Sequence, residues 1–258
     1  MLVIRQEQME VLRAAAAQTF ADAMVTHLTG FSTPLAQVVG PERLRIAIEF
    51  GIKQAAGYGF DARGPVRLYL ELMLLFGCRF DTDPQYPWAA EILSDRDSAP
   101  QMQRAQDLYE RTLDYRRQVA GPADANTLKA LRNIQALAGQ TLRFAPHELV
   151  PFMLEEIALI YPEKAAYIGA EALTALIRKA GEGARNLRFT TPRGMALVVL
   201  LFFSFGHGCG ADPLYPWIAH TLRDQTLTDP EAKAERLEKR ALTWLEQVLA
   251  HLAQEPPT

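Results

Sequence analysis

A sequence repeat constrains this chain more than any other feature. The segment FGCRFDTDPQYPW, Phe76–Trp88, returns as FGHGCGADPLYPW, Phe205–Trp217, with seven of thirteen positions identical. The spacing that aligns Phe76 with Phe205, which we call the repeat offset, holds without a gap in both directions, and apolar positions match apolar positions over most of each half. Such self-similarity indicates one structural unit built twice. We predict a tandem duplication of a helical unit of roughly 120 residues, with the copies related by a rough twofold axis.

The hydrophobic periodicity predicts helices throughout. Apolar residues recur every three or four positions in the first segment, as they do on one face of a helix: Met9, Leu12, Ala16, Phe20, Met24 and Leu28. No segment alternates with a period of two. The predicted fold class is therefore all-α. Its 258 residues suffice for two units, and the segment Ala120–Asn126, which contains Gly and Pro, is the predicted linker. We divide the chain into units 1–121 and 122–258.

Proline and glycine mark the predicted helix ends. Gly64-Pro65 opens a helix that stops at Gly77. Asp83-Pro84 is interpreted as a helix cap with a first-turn proline, and Pro87 is the alternative start. Pro146 stands where the first copy has Ala17. Because an internal proline costs about 3 kcal/mol in a helix, we predict a break near Phe144.

Composition narrows the class of protein. The formal net charge of -3 and pI near 6.0 lack the basic excess of a nucleic-acid binder. The longest apolar run, Met195–Phe205, is shorter than the roughly 20 residues of a membrane span. The N-terminus shows no signal-peptide pattern, so we expect a cytoplasmic protein that begins near Met1. Cys78 and Cys209 are not equivalent in the repeat and are interpreted as two thiols rather than a duplicated disulfide.

The two copies differ most clearly on one central helix. The first carries Arg67 and Glu71 one turn apart, where the second carries Ala196 and Leu200. The second helix is apolar nearly all round, which is typical of a buried helix. Either that copy lies deeper in the fold or its extra apolar face receives a partner, and we favour the first interpretation.

Polar clusters give little support for catalysis. His207 and Cys209 lack the further ligands of a zinc site, and a glycine-rich turn is the simpler interpretation. Asp81 and Asp83 could form a carboxylate pair, but the second copy does not repeat it. Asp212 matches Asp83, whereas Gly210 stands at the position of Asp81. No phosphate-binding, dinucleotide-binding or hydrolase motif is present. We predict no enzyme activity, no metal and no cofactor.

The repeated Tyr-Pro-Trp motif offers the most plausible binding residues. Large aromatics beside a rigid proline can anchor a partner, and they can equally stabilise a fold. Because both copies keep the motif, we favour the structural role. The candidate binding residues are Tyr86, Trp88, Tyr215, Trp217, Arg67 and Glu71.

The segment Arg63–Leu93, RGPVRLYLELMLLFGCRFDTDPQYPWAAEIL, together with the opening Ile4–Met9, carries a family resemblance. It resembles uncharacterised bacterial helical proteins encoded beside type VI secretion genes, among spike, PAAR-type tip and effector genes. The second copy matches only through DP-x-YPW. The resemblance implies a bacterial, cytoplasmic, helical accessory protein and assigns no catalytic residue.

Two functional hypotheses follow. The first is a non-enzymatic protein that binds the product of a neighbouring effector or spike gene, as an adaptor or chaperone or as an immunity protein. The alternative is a small-ligand-binding or regulatory domain with a pocket between the two repeats. Neither involves nucleic acid or a membrane span.

Overall fold

The computed structural model of the chain describes residues 6–252, with side chains from residue 15 onward except those of Pro34 and Leu252. The described residues are helical or irregular, without a strand, so the predicted all-α class is confirmed. The prediction that the protein begins at Met1 without a signal peptide falls on residues outside this range.

Thirteen α-helices follow one another along the described chain: α1 Gln6–Phe31, α2 Thr33–Val39, α3 Pro41–Gly57, α4 Arg63–Phe76, α5 Pro87–Ser94, α6 Gln101–Tyr115, α7 Ala125–Leu137, α8 Leu149–Ile160, α9 Pro162–Ile168, α10 Ala170–Asn186, α11 Pro192–Phe205, α12 Pro216–Leu222 and α13 Pro230–Leu252. Short 3-10 turns occupy Phe80–Thr82 and Cys209–Ala211, and a π-helical turn, Arg116–Ala120, extends α6.

Helix bounds recur at the repeat offset. The helices α2, α3 and α4 match α9, α10 and α11 at both ends when they are shifted along the chain by this spacing. The same offset separates the first residues of α5 and α12 and those of α6 and α13. It also separates the two 3-10 turns. Proline in the first turn accounts for many of these starts, because its fixed φ suits a position whose N–H has no helical partner.

The two halves differ at the beginning. Gln6–Phe31 forms one continuous helix, whereas its counterpart is divided into α7 and α8. Pro146 lies in the 3-10 turn just before α8, and residues 138–145 reverse the chain. The predicted break near Phe144 is confirmed. Its consequence is that α7 packs back against α13 instead of extending α8 along its axis.

A single apolar core runs through both halves. Its members come from α1 to α13, and large side chains from each half are fully buried in it: Phe60, Tyr69, Phe80, Phe189 and Phe203. The predicted linker contains Gly121, with φ of 73°, and a 3-10 turn at Pro122–Asp124 that leads into α7. Across the halves, α2 packs on α13 and α9 packs on the turn that extends α6.

Candidate functional site

Asp83 and Asp212 join the two halves, and we call their surroundings the seam. The Oδ2 atom of Asp83 accepts a hydrogen bond from the backbone N–H of His207 at 2.7 Å and lies 3.1 Å from Nδ1 of the same residue. Its Oδ1 atom accepts from the N–H of Gln85. In the opposite direction, Oδ2 of Asp212 accepts from the N–H of Cys78 at 2.7 Å, and Oδ1 accepts from Leu214.

These bonds correct the predicted capping role. The helices begin at Pro87 and Pro216, so Pro87, the alternative start, is the correct one. In each aspartate, Oδ1 accepts a hydrogen bond from the backbone N–H two residues further along and so stabilises a local turn. Oδ2 accepts a hydrogen bond from a backbone N–H of the other half. The predicted turn around His207 and Cys209 is confirmed, with a glycine-capped helix end before it.

Two glycines permit the close approach of the halves. A Cβ at Gly77 would lie 2.5 Å from the carbonyl oxygen of Phe205, and one at Gly206 would lie 3.1 Å from that of Phe76. Both glycines have positive φ, 92° and 84°. A side chain at either position would therefore meet both steric overlap and an unfavourable backbone conformation.

The seam shifts the pKa values of its carboxyls in opposite directions. Burial raises the pKa of Asp83, but hydrogen bonds from His207 and from the Gln85 amide outweigh it and hold the pKa below its ordinary value. At Asp212, burial prevails over the bonds from Cys78 and Leu214, so its pKa is raised. Because all four carboxylate oxygens already accept hydrogen bonds, these groups serve as structural pins.

Lys164 was not singled out by the sequence analysis. Its side chain is buried in the seam, with Nζ donating to the carbonyl oxygen of Phe203 at 2.7 Å and lying 4.3 Å from the ring centroid of that residue. Burial lowers its pKa to about 8, against an opposing influence from Asp83. The repeat offers a signal that could have found it, because the first half has Leu35 at the matching position.

The Tyr-Pro-Trp residues form two matching aromatic clusters. Tyr86 packs on Phe76 at 4.5 Å between ring centroids, and Trp88 packs on the same ring at 6.1 Å. In the second half, Tyr215 and Trp217 pack on Phe205 in the same way, at 4.5 and 5.8 Å. Tyr86, Trp88 and Tyr215 are buried and Trp217 is half-buried. The residues lie in the interior of the folded chain.

Arg67 lies at the surface of α4, whereas the side chain of Glu71 is mostly buried. The Oε1 atom of Glu71 lies 2.6 Å from Nε2 of His27 in α1 and 3.4 Å from Nε of Arg67. The side chain of Arg67 is 58% exposed. His27 was not among the predicted residues. In the second half, Ala196 is buried and Leu200 is half-buried, and α7 lies over this side of the helix.

Both thiols are protected. Cys78 and Cys209 are buried and unpaired to each other, and burial raises the pKa of each. A thiol in this state carries little thiolate at neutral pH, which disfavours nucleophilic reactivity.

A cavity of about 80 Å³ lies within the second half rather than at the seam. It is enclosed by α7 on one side and by α11 and α13 on the other. Its lining is mostly apolar and includes Leu131, Ile134, Leu137, Ala196, Leu200 and Leu242.

Within residues 6–252, no helix is long and apolar enough to cross a membrane. Among the side chains that the structure describes, no group of His, Cys, Asp and Glu is arranged to hold a metal ion.

Comparisons with protein-family models, curated proteins and solved structures returned no match. The fold and seam thus define an all-helical protein whose two halves are pinned together by buried carboxylates.

Proposed function

We propose that this protein is a non-enzymatic accessory protein of a bacterial type VI secretion gene cluster. It binds an effector or spike component in the cytoplasm, as an adaptor or chaperone or as an immunity protein. The family resemblance of Arg63–Leu93 supports the context. The observation that carries the binding role is the exposure of Leu75 on α4 and of Tyr109 and Leu113 on α6, because these two helices pack against each other.

We call the surface formed by Leu75, Tyr109 and Leu113 the open face. Leu113 is 42% exposed and Tyr109 is 47% exposed, one helical turn apart on α6. Clustered apolar side chains at a polar rim are typical of protein-binding surfaces. The seam supports a non-enzymatic role, because Asp83 and Asp212 are committed to structural hydrogen bonds and both cysteine thiols are buried.

The proposal includes the origin of the fold as a duplicated unit with pseudo-twofold symmetry. The recurrence of helix bounds at the repeat offset supports it. Further support comes from the two hydrogen bonds at the seam, from His207 to Asp83 and from Cys78 to Asp212. The repeat offset matches Asp83 with Asp212 and Cys78 with His207, so the two bonds are equivalent and run in opposite directions. An isologous dimer interface has this reciprocity. In a crystal structure, superposing residues 33–101 on 162–230 should require a rotation of close to half a turn.

Copurification tests the binding role. The full chain should be expressed with each product of its neighbouring secretion genes in turn, and one of them should copurify at a fixed stoichiometry. If every folded neighbour passes through without binding, the proposal is wrong. Protection of cells from a neighbouring toxic effector would select the immunity role, and loss of effector loading in a deletion strain would select the adaptor role.

The cavity under α7 favours a second candidate, a small-ligand-binding role. Its apolar lining, with Arg193 and Glu238 at the edge, suits a hydrophobic molecule with a polar end. Native mass spectrometry of the purified protein should then detect a retained ligand. A mass equal to that of the bare chain after gentle desolvation would count against this candidate.

A further inference from the structure

The second half contains a helix packed on the counterpart of the open face. Leu131, Ile134 and Leu137 of α7, spaced three residues apart, line the cavity against α11 and α13. The C-terminal end of α7 is held by Arg193, whose Nη2 atom donates to the carbonyl oxygen of Ala138 at 2.8 Å. This arrangement shows what kind of element such a face accepts in this fold.

The lining of that cavity maps directly onto the open face. The repeat offset places Arg67, Glu71 and Leu75 at the positions of Ala196, Leu200 and Ser204. It likewise places Tyr109 and Leu113 at the positions of Glu238 and Leu242. The first half therefore presents more apolar surface on its α6 side than the second half, but it has no covering helix among the described residues.

In the part of the chain that the structure describes, the first half lacks a covering helix because the chain takes a different course at the beginning of each half. Pro146 and the loop before it let α7 turn back, whereas Ala17 lets α1 continue straight. Ala15–Thr19 are all exposed, which is more than one full helical turn. The N-terminal part of α1 consequently does not return to the open face as α7 returns to its counterpart.

We propose that the open face is the docking site for an amphipathic helix of the protein partner, bound as α7 is bound in the second half. The inference rests on the proposed binding function and specifies its chemistry. The docked helix presents apolar side chains at intervals of three or four residues to Leu75, Tyr109 and Leu113. Recognition of this kind places one helix face in an apolar groove.

Arg67 gives the docked helix a direction. In the second half, Arg193 binds the carbonyl end of α7, but its counterpart in the first half is Gly64. Arg67 lies one turn further along α4, and its side chain is 58% exposed while its Nε atom lies 3.4 Å from Glu71. A guanidinium stabilises the C-terminal end of a helix, where unpaired carbonyl groups carry partial negative charge. The partner helix therefore ends at Arg67.

A partner protein is a better occupant than a second copy of this chain. Between Gln6 and Thr19, α1 carries larger apolar residues only at Met9, Val11 and Leu12, before four consecutive alanines. The three-residue interval of Leu131, Ile134 and Leu137 occurs only once among these residues, between Met9 and Leu12. A second copy would offer two anchors where α7 offers three.

A peptide with the sequence of residues 125–138 is the probe. It should be stapled across Arg132 and Ala136, which are exposed in α7, because so short a helix is marginal in water. Fluorescence anisotropy then measures its binding to the full-length protein, whose own α7 already covers the other face. We expect saturable binding that Leu113→Glu weakens by about tenfold or more.

The control is Leu159→Glu, at a residue of α8 that is 72% exposed and lies outside the open face. It should bind the peptide as the unchanged protein does, and circular dichroism should show both variants folded. Tyr109→Lys provides a second variant of the face and should weaken binding too. Absence of saturable binding, or equal binding by the face variants, would overturn the proposal.

The outcomes separate this inference from the function on which it rests. If a neighbouring gene product binds the protein and both face variants equally, the docking site is wrong and the binding function stands. If the peptide binds the open face and every gene product fails to bind, the function is wrong and the docking site stands. A homodimer by sedimentation that Leu113→Glu dissociates would show a second copy on the face and overturn the partner assignment.

Discussion

The carboxylate of Asp83 accepts a 2.7 Å hydrogen bond from the backbone N–H of His207, in the opposite half of the chain. Its counterpart Asp212 accepts an equally short bond from Cys78 in the reverse direction. Hydrogen bonds to buried charged groups are among the stronger polar interactions in proteins. The two aspartates therefore hold the seam at equivalent points, although their environments differ.

Replacing Asp83 with Asn should lower the free energy of unfolding by about 2–3 kcal/mol at pH 7, because an amide offers one acceptor oxygen where two N–H groups need acceptors. Asp212→Asn should cost less, since burial already disfavours the charged form of Asp212 and raises its pKa. Urea unfolding of both variants measures the difference. Equal losses would contradict the assigned environments.

The pH dependence should follow the lowered pKa of Asp83. A carboxyl with a lower pKa in the folded state contributes stability above its unfolded pKa and loses it as pH falls through the folded value. The difference in unfolding free energy between the unchanged protein and Asp83→Asn should thus shrink below about pH 4. A difference that stays constant down to pH 2 would argue against this contribution.

Replacing Lys164 with Leu, the residue at the matching position of the first half, should raise the free energy of unfolding by about 1–3 kcal/mol at pH 7. Burial lowers the pKa of Lys164 to about 8, so folding near neutral pH carries the cost of a buried ammonium group. Thermal unfolding in parallel with Lys129→Leu, at an exposed lysine of α7, provides the control.

The same lysine should make the stability of the unchanged protein rise between pH 8 and pH 10 relative to that of Lys164→Leu. In that range the folded state has released the Lys164 proton while the unfolded chain still holds it, so higher pH favours folding. The raised pKa values of the Cys78 and Cys209 thiols lower stability in the upper part of this range, and those of Tyr58 and Tyr161, about 12 each, lower it above pH 10. Both proteins contain these groups, so their effect cancels in the difference. Urea unfolding of both proteins across this range measures the difference, and a difference that stays constant from pH 8 to pH 10 would contradict the contribution of Lys164.

Trp88→Ala should lower the free energy of unfolding by about 3–5 kcal/mol, because the indole is buried against Phe76. Trp217→Ala should cost less, since Trp217 is only half-buried. Differential scanning calorimetry checks both. An unchanged melting temperature for Trp88→Ala would favour the binding role of the motif over the structural one.

Gly77→Ala should destabilise the protein by about 1–3 kcal/mol more than Gly40→Ala, in line with the cost of overpacking. Both glycines have positive φ, 92° and 82°, so both variants carry the backbone penalty. Only the new Cβ at position 77 overlaps another atom, the carbonyl oxygen of Phe205. Similar urea midpoints for the two variants would mean that the seam relaxes to admit the methyl group.

Local signals in the sequence predicted much of the secondary structure. The start of the central helix at Gly64-Pro65, its end at Gly77 and the break before α8 at Pro146 all depend on the backbone chemistry of single residues. Such residues act over one helical turn and can be recognised without knowing their neighbours in space. Tyr86 and Trp88 are buried, which agrees with the structural role favoured for large aromatics of a repeated motif.

The seam and the open face were decided by tertiary structure. Asp83 resembles a helix cap along the sequence, and only the approach of His207 from the other half makes it a seam residue. Lys164 resembles a surface lysine until the packing of the halves encloses it. The sequence by itself determined several helix ends, such as the end at Gly77 and the break at Pro146, because those choices are local. Which polar groups meet and which apolar face stays uncovered depends on contacts between residues far apart along the chain, which no local pattern records.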